Sequence, residues 1–192
     1  MNDLPLIFFV IFSAFTINLT LQCALGIKGV CEAKNPASIS IIIKLGIIFF
    51  TVIVLWFFFS KMIHQVISGT FVYVLLFPVS SMVYDGLEFL IFHYILKKEP
   101  DKESAVTFPG CITAAAVFIC VNIADSFVQA ASLSFGFSAG ILLVFLIIGE
   151  IRQRAALEKV PQFLRGKPLV LISMGMLSLI FSAVSLLLFR MI

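Results

Sequence analysis

Long apolar runs, separated by brief polar stretches, extend from one end of the chain to the other. Windows of about 18 or more predominantly apolar residues predict six membrane spans, at about 4–22, 39–60, 67–96, 106–124, 129–149 and 169–189. Six crossings of about 20 residues with short connections use up a chain of 192 residues and leave no room for an extramembrane domain. The predicted fold class is therefore all-α integral membrane, a single polytopic domain over 1–192. Span 3 is longer than a crossing requires, and its polar insertion Asp85, Gly86 and Glu88 predicts a bend into an interfacial segment ending at Lys97. The stretch EIRQRAALEKVPQFLRGKP at 150–168 predicts an amphipathic helix stopped by Pro161. It should lie along the cytoplasmic face, with its basic residues against anionic lipid or an acidic partner surface.

The spans fall into two sets of three, about 1–96 and 106–192. With an odd number of helices in each set, the second must run through the membrane in the opposite sense. That is the geometry of inverted-repeat proteins, whose sites lie at the midplane. Spans 1 and 4 correspond. Both are short, and both border a cysteine with a nearby glycine, Cys23 and Gly26 in one case, Gly110 and Cys111 in the other, with Pro109 at the start of span 4. Both are expected to be interrupted, which exposes backbone groups that hydrocarbon tolerates only when protein or a bound group satisfies them.

Composition agrees with the pattern. Hydrophobic residues make up 61% and charged residues 12% of the chain, and the mean hydropathy is +1.17, which excludes a soluble fold. A net charge of +3 with no basic run interleaved with aromatics argues against nucleic acid as a partner. The N-terminus has Asp3 and no early Lys or Arg, so it does not read as a secretory signal, and span 1 is expected to stay in the mature protein. Four cysteines, at least two of them in apolar spans, do not make a secreted disulfide framework. Lys28, Lys34, Lys97, Lys98, Lys102, Arg152, Arg154, Lys159, Arg165 and Lys167 all fall on connections 1–2, 3–4 and 5–6, against Lys61 and Arg190 on the other side. The positive-inside rule makes those three connections cytoplasmic and puts both termini on the non-cytoplasmic side.

Few residues offer chemistry. No CxxC pair, HExxH, GxGxxG, P-loop or GxSxG occurs. Cys111, beside the Pro-Gly start of span 4, is a thiol with backbone donors nearby; read alone, such a cysteine is more often a small apolar residue packed in a helix. Cys120 lies about 900° further round the helix, half a turn out of phase, and is assigned to packing. Four thiolates make a [2Fe-2S] cage. Cys111 with Cys23 or Cys31 would supply two of them, and a second protein chain would have to supply the others. Asp85 and Glu88 share a helical face. They are either an ion or proton path, because intramembrane carboxylates are costly, or solvated groups near the cytoplasmic interface. Lys44, inside span 2, either snorkels or pairs with an acidic group across the bundle. Amides such as Asn18 and Asn122 more often hold helices together than bind substrate.

The second half resembles the RnfA/NqrE-type subunits of the Rnf and sodium-pumping NADH:quinone oxidoreductase complexes. The resemblance lies in FGFSAG at 135–140 and IRQRAALEKVPQFLRGKPLVLISMGMLSLIF at 151–181, in order and spacing. Asn18 with Leu25-Gly26-Ile27, and Gly110-Cys111, are similar to the family's patterns in spans 1 and 4. The resemblance implies a subunit of the bacterial cytoplasmic membrane paired with a homologous, oppositely oriented RnfE/NqrD-like subunit. The two would hold one [2Fe-2S] cluster by two cysteines each, electrons would cross the bilayer through it coupled to Na+ or H+ transport, and flavins would sit on other subunits. Cys111 takes the ligand role directly. Where the family has its other cysteine, after Leu25-Gly26-Ile27, this chain has Lys28. Cys31, three residues on, would share that helical face and ranks above Cys23, five residues back. Pro109-Gly110 replaces the family's Thr-Asn. The competing readings are a six-helix substrate-capture subunit of a small-molecule transporter, which would need converging polar side chains, and a purely structural assembly subunit.

Overall fold

The computed structural model describes residues 6–26, 30, 39–65, 69–96, 109–157, 161 and 166–190. Over these residues the chain is all-helical. Helix α1 (Leu6–Ile11) continues as a π-helical turn over Phe12–Thr16, α2 spans Ile39–Gln65, and α3 (Gly69–Leu90) continues as a π-helical segment over Ile91–Leu96. Then follow α4 (Pro109–Ile123), α5 (Phe127–Leu157) and α6 (Lys167–Arg190). Four of them, α2, α3, α5 and α6, are long and apolar enough to cross a membrane. The protein is a multi-pass, all-α integral membrane protein.

Length separates the other two. At 1.5 Å per residue, Leu6–Thr16 rises about 16 Å and α4 about 22 Å, both short of a hydrocarbon core of about 30 Å. Helix α5, with 31 residues, reaches about 46 Å and outruns that core. The separate amphipathic helix expected from residue 150 is thus, as far as Leu157, a continuation of α5. Its Arg154 donates to Glu150 one turn earlier, at 2.9 Å, and both are exposed.

Helices α2 and α5 form the centre, with half of each span buried, whereas only 17% of the spans in α3 and α6 is buried. Several packing pairs recur when α1 is exchanged with α4, α2 with α5, and α3 with α6. Helix α2 packs on α4 as α5 packs on α1, α3 on α4 as α6 on the π turn of α1, and α2 on α3 as α5 on α6. The core is apolar: Ile48, Val52, Val117, Leu133, Ile141 and Val144 are all sealed from solvent.

Two expectations give way here. The polar insertion in span 3 does not end the α-helix. The α-helix runs through Asp85, Gly86 and Glu88 to Leu90, and the irregularity is the π-helical segment that follows. Glu88 is accommodated by a partner on another helix, so the backbone has no need to leave the bundle there. Span 4 is not interrupted between Pro109 and Ile123. Proline suits the first turn of a helix, where its missing N–H is no loss, so Pro109 opens α4.

Span 1 does break. After Thr16 the chain leaves helical geometry at Ile17 (φ −112°, ψ 49°) and turns until Gly26. Asn18, 1% exposed, organises the break. Its Nδ2 donates to Ala14 O at 3.0 Å, while its Oδ1 accepts from Thr20 N at 3.1 Å and Leu21 N at 3.2 Å. Ile17 N donates to Phe12 O, Gln22 N to Asn18 O and Leu25 N to Leu19 O. Five backbone amides of the turn, those of Ile17, Thr20, Leu21, Gln22 and Leu25, thereby find acceptors where hydrocarbon would offer none.

Candidate functional site

The site is built on the turn after α1 and the first turn of α4. Two glycines of the FGFSAG run seat α1 against α5. A Cβ on Gly136 would collide with Ser13 Oγ and stand 2.5 Å from Val10 O. One on Gly140 would stand 2.8 Å from Ala14 O and 3.0 Å from Asn18 Nδ2. Only hydrogen fits at either position, so α1 and the Asn18 turn lie backbone-close on α5. This is the small-xxx-small contact of membrane helices.

Beyond Asn18 the turn carries Cys23, which is exposed, and reaches Gly26, whose φ of +77° suits glycine. A Cβ at Gly26 would come within 3.1 Å of Ile112 Cδ1. Ile112 follows Cys111, so the turn bearing Cys23 touches the turn bearing Cys111. On its other side α4 is pressed against α3, where a Cβ at Gly110 would meet Ser81 Oγ at 2.6 Å. Thr113 Oγ1 donates to Gly110 O at 2.9 Å within that first turn.

The three described cysteines separate by environment. Cys23 is exposed, Cys111 half-buried and Cys120 buried. Cys120 is fully enclosed, with its Sγ 3.7 Å from Ser134 Oγ on α5, as packing requires. Cys31 and Lys28 lie outside the described residues. Among those described, no three His, Cys, Asp or Glu side chains are grouped to hold a metal ion. Cys23 and Cys111 are therefore at most part of a cage. Their chemistry and placement fit that part, since they are soft sulfur donors on touching segments, neither sealed in the core, and Cys111 lies in a first turn where backbone N–H groups lack helical partners.

Asp85 and Glu88 part company. Asp85 is exposed, whereas the Glu88 carboxylate meets the Lys44 ammonium at 2.8 Å, with side chains 16% and 4% exposed. Lys44 thus pairs across the bundle. Its Nζ also lies 5.8 Å from the centroid of Phe92, in the π-helical segment. Asn122 is exposed and donates to Phe118 O within its own helix, so it does not mirror Asn18. The roles of Gly136, Gly140 and Ser81 escape sequence reasoning. The Gly-xxx-Gly spacing in an apolar helix is the available signal for the first two; nothing local marks Ser81.

No family model matches the sequence. Among curated proteins it is similar to a subunit of the ion-translocating oxidoreductase complex of Pectobacterium atrosepticum, 34% identical over 72 residues, covering 38% of this chain and 37% of that protein. The same-named protein of Serratia proteamaculans is 35% identical over 72 residues, with the same coverage. That of Escherichia fergusonii is 32% identical over 76 residues, covering 40% of this chain and 39% of that protein. The matches therefore span about two fifths of these relatives.

Proposed function

We propose that this chain is a membrane subunit of an ion-translocating electron-transport complex, and that it contributes two thiols to a [2Fe-2S] cluster shared with a homologous subunit. The observation that carries the reading is the pairing of Cys111 with the turn after α1. Two segments bearing unburied sulfur meet at Gly26 and Ile112, in a membrane protein whose relatives are named as subunits of such a complex. Cys111 is one ligand, and Cys23 or Cys31 the other.

The chain's own residues do the positioning. Asn18 fixes the turn, Gly136 and Gly140 fix α1 against α5, and Gly110 lets α4 start close against α3. When bound, such a cluster supplies one-electron transfer. The two remaining thiolates would come from the oppositely oriented partner, and flavins would be held elsewhere in the complex. The proposal includes residence in the bacterial cytoplasmic membrane with both termini outside the cytoplasm, repeats over about 1–96 and 106–192 running in opposite senses, and coupling to Na+ or H+, with Asp85 and Glu88 on the ion path.

The test is electron paramagnetic resonance of the complex purified with this chain. A reduced [2Fe-2S] signal is expected from the wild type, and Cys111→Ser should abolish it while the subunits still co-purify. A signal unchanged in Cys111→Ser would remove the ligand assignment.

A further inference from the structure

We propose that the outward face of α3 around Asp85 docks a transmembrane helix of a different protein chain, one that carries a lysine or arginine at the depth of this carboxylate. The apolar segment formed by α3 and its π-helical continuation runs for 21 residues from Val74 to Tyr94, and only 17% of that span is buried. Asp85 lies one residue past its middle. It is exposed and makes no ion pair or hydrogen bond among the described residues. A carboxylate at mid-depth on a lipid-facing surface is costly, and such groups are turned toward protein or a water-filled cavity. Met82, three residues before Asp85, and Phe89, four residues after it, share its stripe and are 75% and 56% exposed. With apolar side chains on both sides of it, the carboxylate sits on a surface that repels water, and protein is the partner that fits.

The same helix shows how such a charge is met. On its inward side Glu88 takes the Lys44 ammonium of α2 at 2.8 Å. A second copy of this chain would not do the same for Asp85. Among the described residues, the other basic side chains, Lys61, Arg152, Arg154, Lys167 and Arg190, stand within a turn of a span's end or beyond it, and Lys44 is engaged with Glu88. The matching cation therefore belongs to another chain.

Helix α6 is the internal control. It holds the place of α3 in the other half and its span is likewise 17% buried, but no charged residue lies between Lys167 and Arg190, so lipid covers its outward face without electrostatic cost. Gly86 gives a second sign. It is exposed beside Asp85, and a Cβ there would meet nothing within 4 Å. No packing inside the chain explains a residue that weakens a helix, whereas a neighbouring helix can come backbone-close to it. The inference goes beyond the proposed function and places any ion path through Asp85 at the boundary between two chains. Its test reads contact between chains, so the two can fail separately.

A benzophenone side chain is placed at Met82, or at Leu179 on the outward face of α6, in the full chain within its native membrane, and the adducts formed on irradiation are mapped by mass spectrometry. Met82 should yield an adduct in a transmembrane helix of another chain with a lysine or arginine level with Asp85, and Leu179 should yield lipid adducts. Asp85→Leu and Asp85→Asn should both lower the Met82 adduct about tenfold, with unfolding midpoints in detergent no lower than the wild type. Asp85→Lys should abolish the adduct until the basic residue of the captured helix is changed to Asp. Lipid adducts alone at Met82, an adduct to a second copy of this chain, or a captured helix with no basic residue at that depth would overturn the proposal. So would equal protein capture from Leu179, an adduct undiminished in the Leu and Asn variants, or failure of both variants to fold.

Discussion

Helices α1 and α4 occupy equivalent places in the two halves, and both are too short to cross the bilayer, yet they are held by different means. Helix α1 ends inside the bundle in an unwound turn. That turn exists because the Asn18 side chain takes up one carbonyl and two amides and because α5 offers glycine where α1 lies against it. Helix α4 is regular from Pro109 to Ile123 and needs no such help. It ends conventionally, with Ser126 Oγ accepting from Gln129 N at 3.3 Å and Gln129 Oε1 accepting from Asp125 N at 3.0 Å, a capping arrangement that starts α5. The comparison shows that irregular backbone within a membrane protein needs a side chain such as Asn18 to take up its polar groups, whereas a regular helix satisfies its own. Cys23 accordingly rides on a turn shaped by Asn18, and Cys111 on a regular helix packed against α2 and α3.

Substitutions should expose that asymmetry. The largest effect belongs to Gly136→Ala, since its Cβ would stand 2.5 Å from a backbone oxygen of α1 that cannot rotate away. A loss of about 3 kcal/mol is expected from such overpacking, read as a lowered unfolding midpoint in mild detergent. Asn18→Ala comes next. It leaves Thr20 and Leu21 amides without their acceptor, at a cost of about 2 kcal/mol, and should speed amide hydrogen exchange at those positions while leaving α4 protected. Gly110→Ala is milder at about 1 kcal/mol, because the Ser81 hydroxyl at 2.6 Å can turn aside and the Ser81 Cβ and Cα, at 3.0 and 3.3 Å, need give way by only a few tenths of an ångström. A double-mutant cycle with Ser81→Ala should recover part of that loss. An equal cost for Asn18→Ala and Gly110→Ala, with exchange raised in both helices, would break the comparison.

The sequence is legible where local pattern decides the outcome. The apolar runs locate the helices, and the phase of Cys120 relative to Cys111 places it in the core, where it is enclosed beside Ser134. The misreadings have a common physical origin. Asp85, Gly86 and Glu88 look like a helix breaker because a carboxylate is costly in hydrocarbon, but that cost is met by Lys44, distant in sequence. Pro109 looks like an interruption, although proline is equally at home in a first turn. The Asn18 break and the glycine seat depend on which helices pack together, and one strand of sequence does not state that. Of the candidate site, Cys111 with Cys31 or Cys23 can be named from the sequence, Cys31 lying outside the described residues, but the contact of the Cys23 and Cys111 turns through Gly26 and Ile112 cannot.

The most direct test of the account sets Cys111→Ser beside Cys120→Ala in the same purified complex, with iron content and the reduced paramagnetic spectrum recorded for both. Cys120→Ala removes a buried sulfur and should cost about 1 kcal/mol of stability with iron and spectrum intact. Cys111→Ser should assemble yet lose the iron bound at this site together with its signal. Equal iron and identical spectra in the two variants would contradict the claim that α4 presents a cluster ligand.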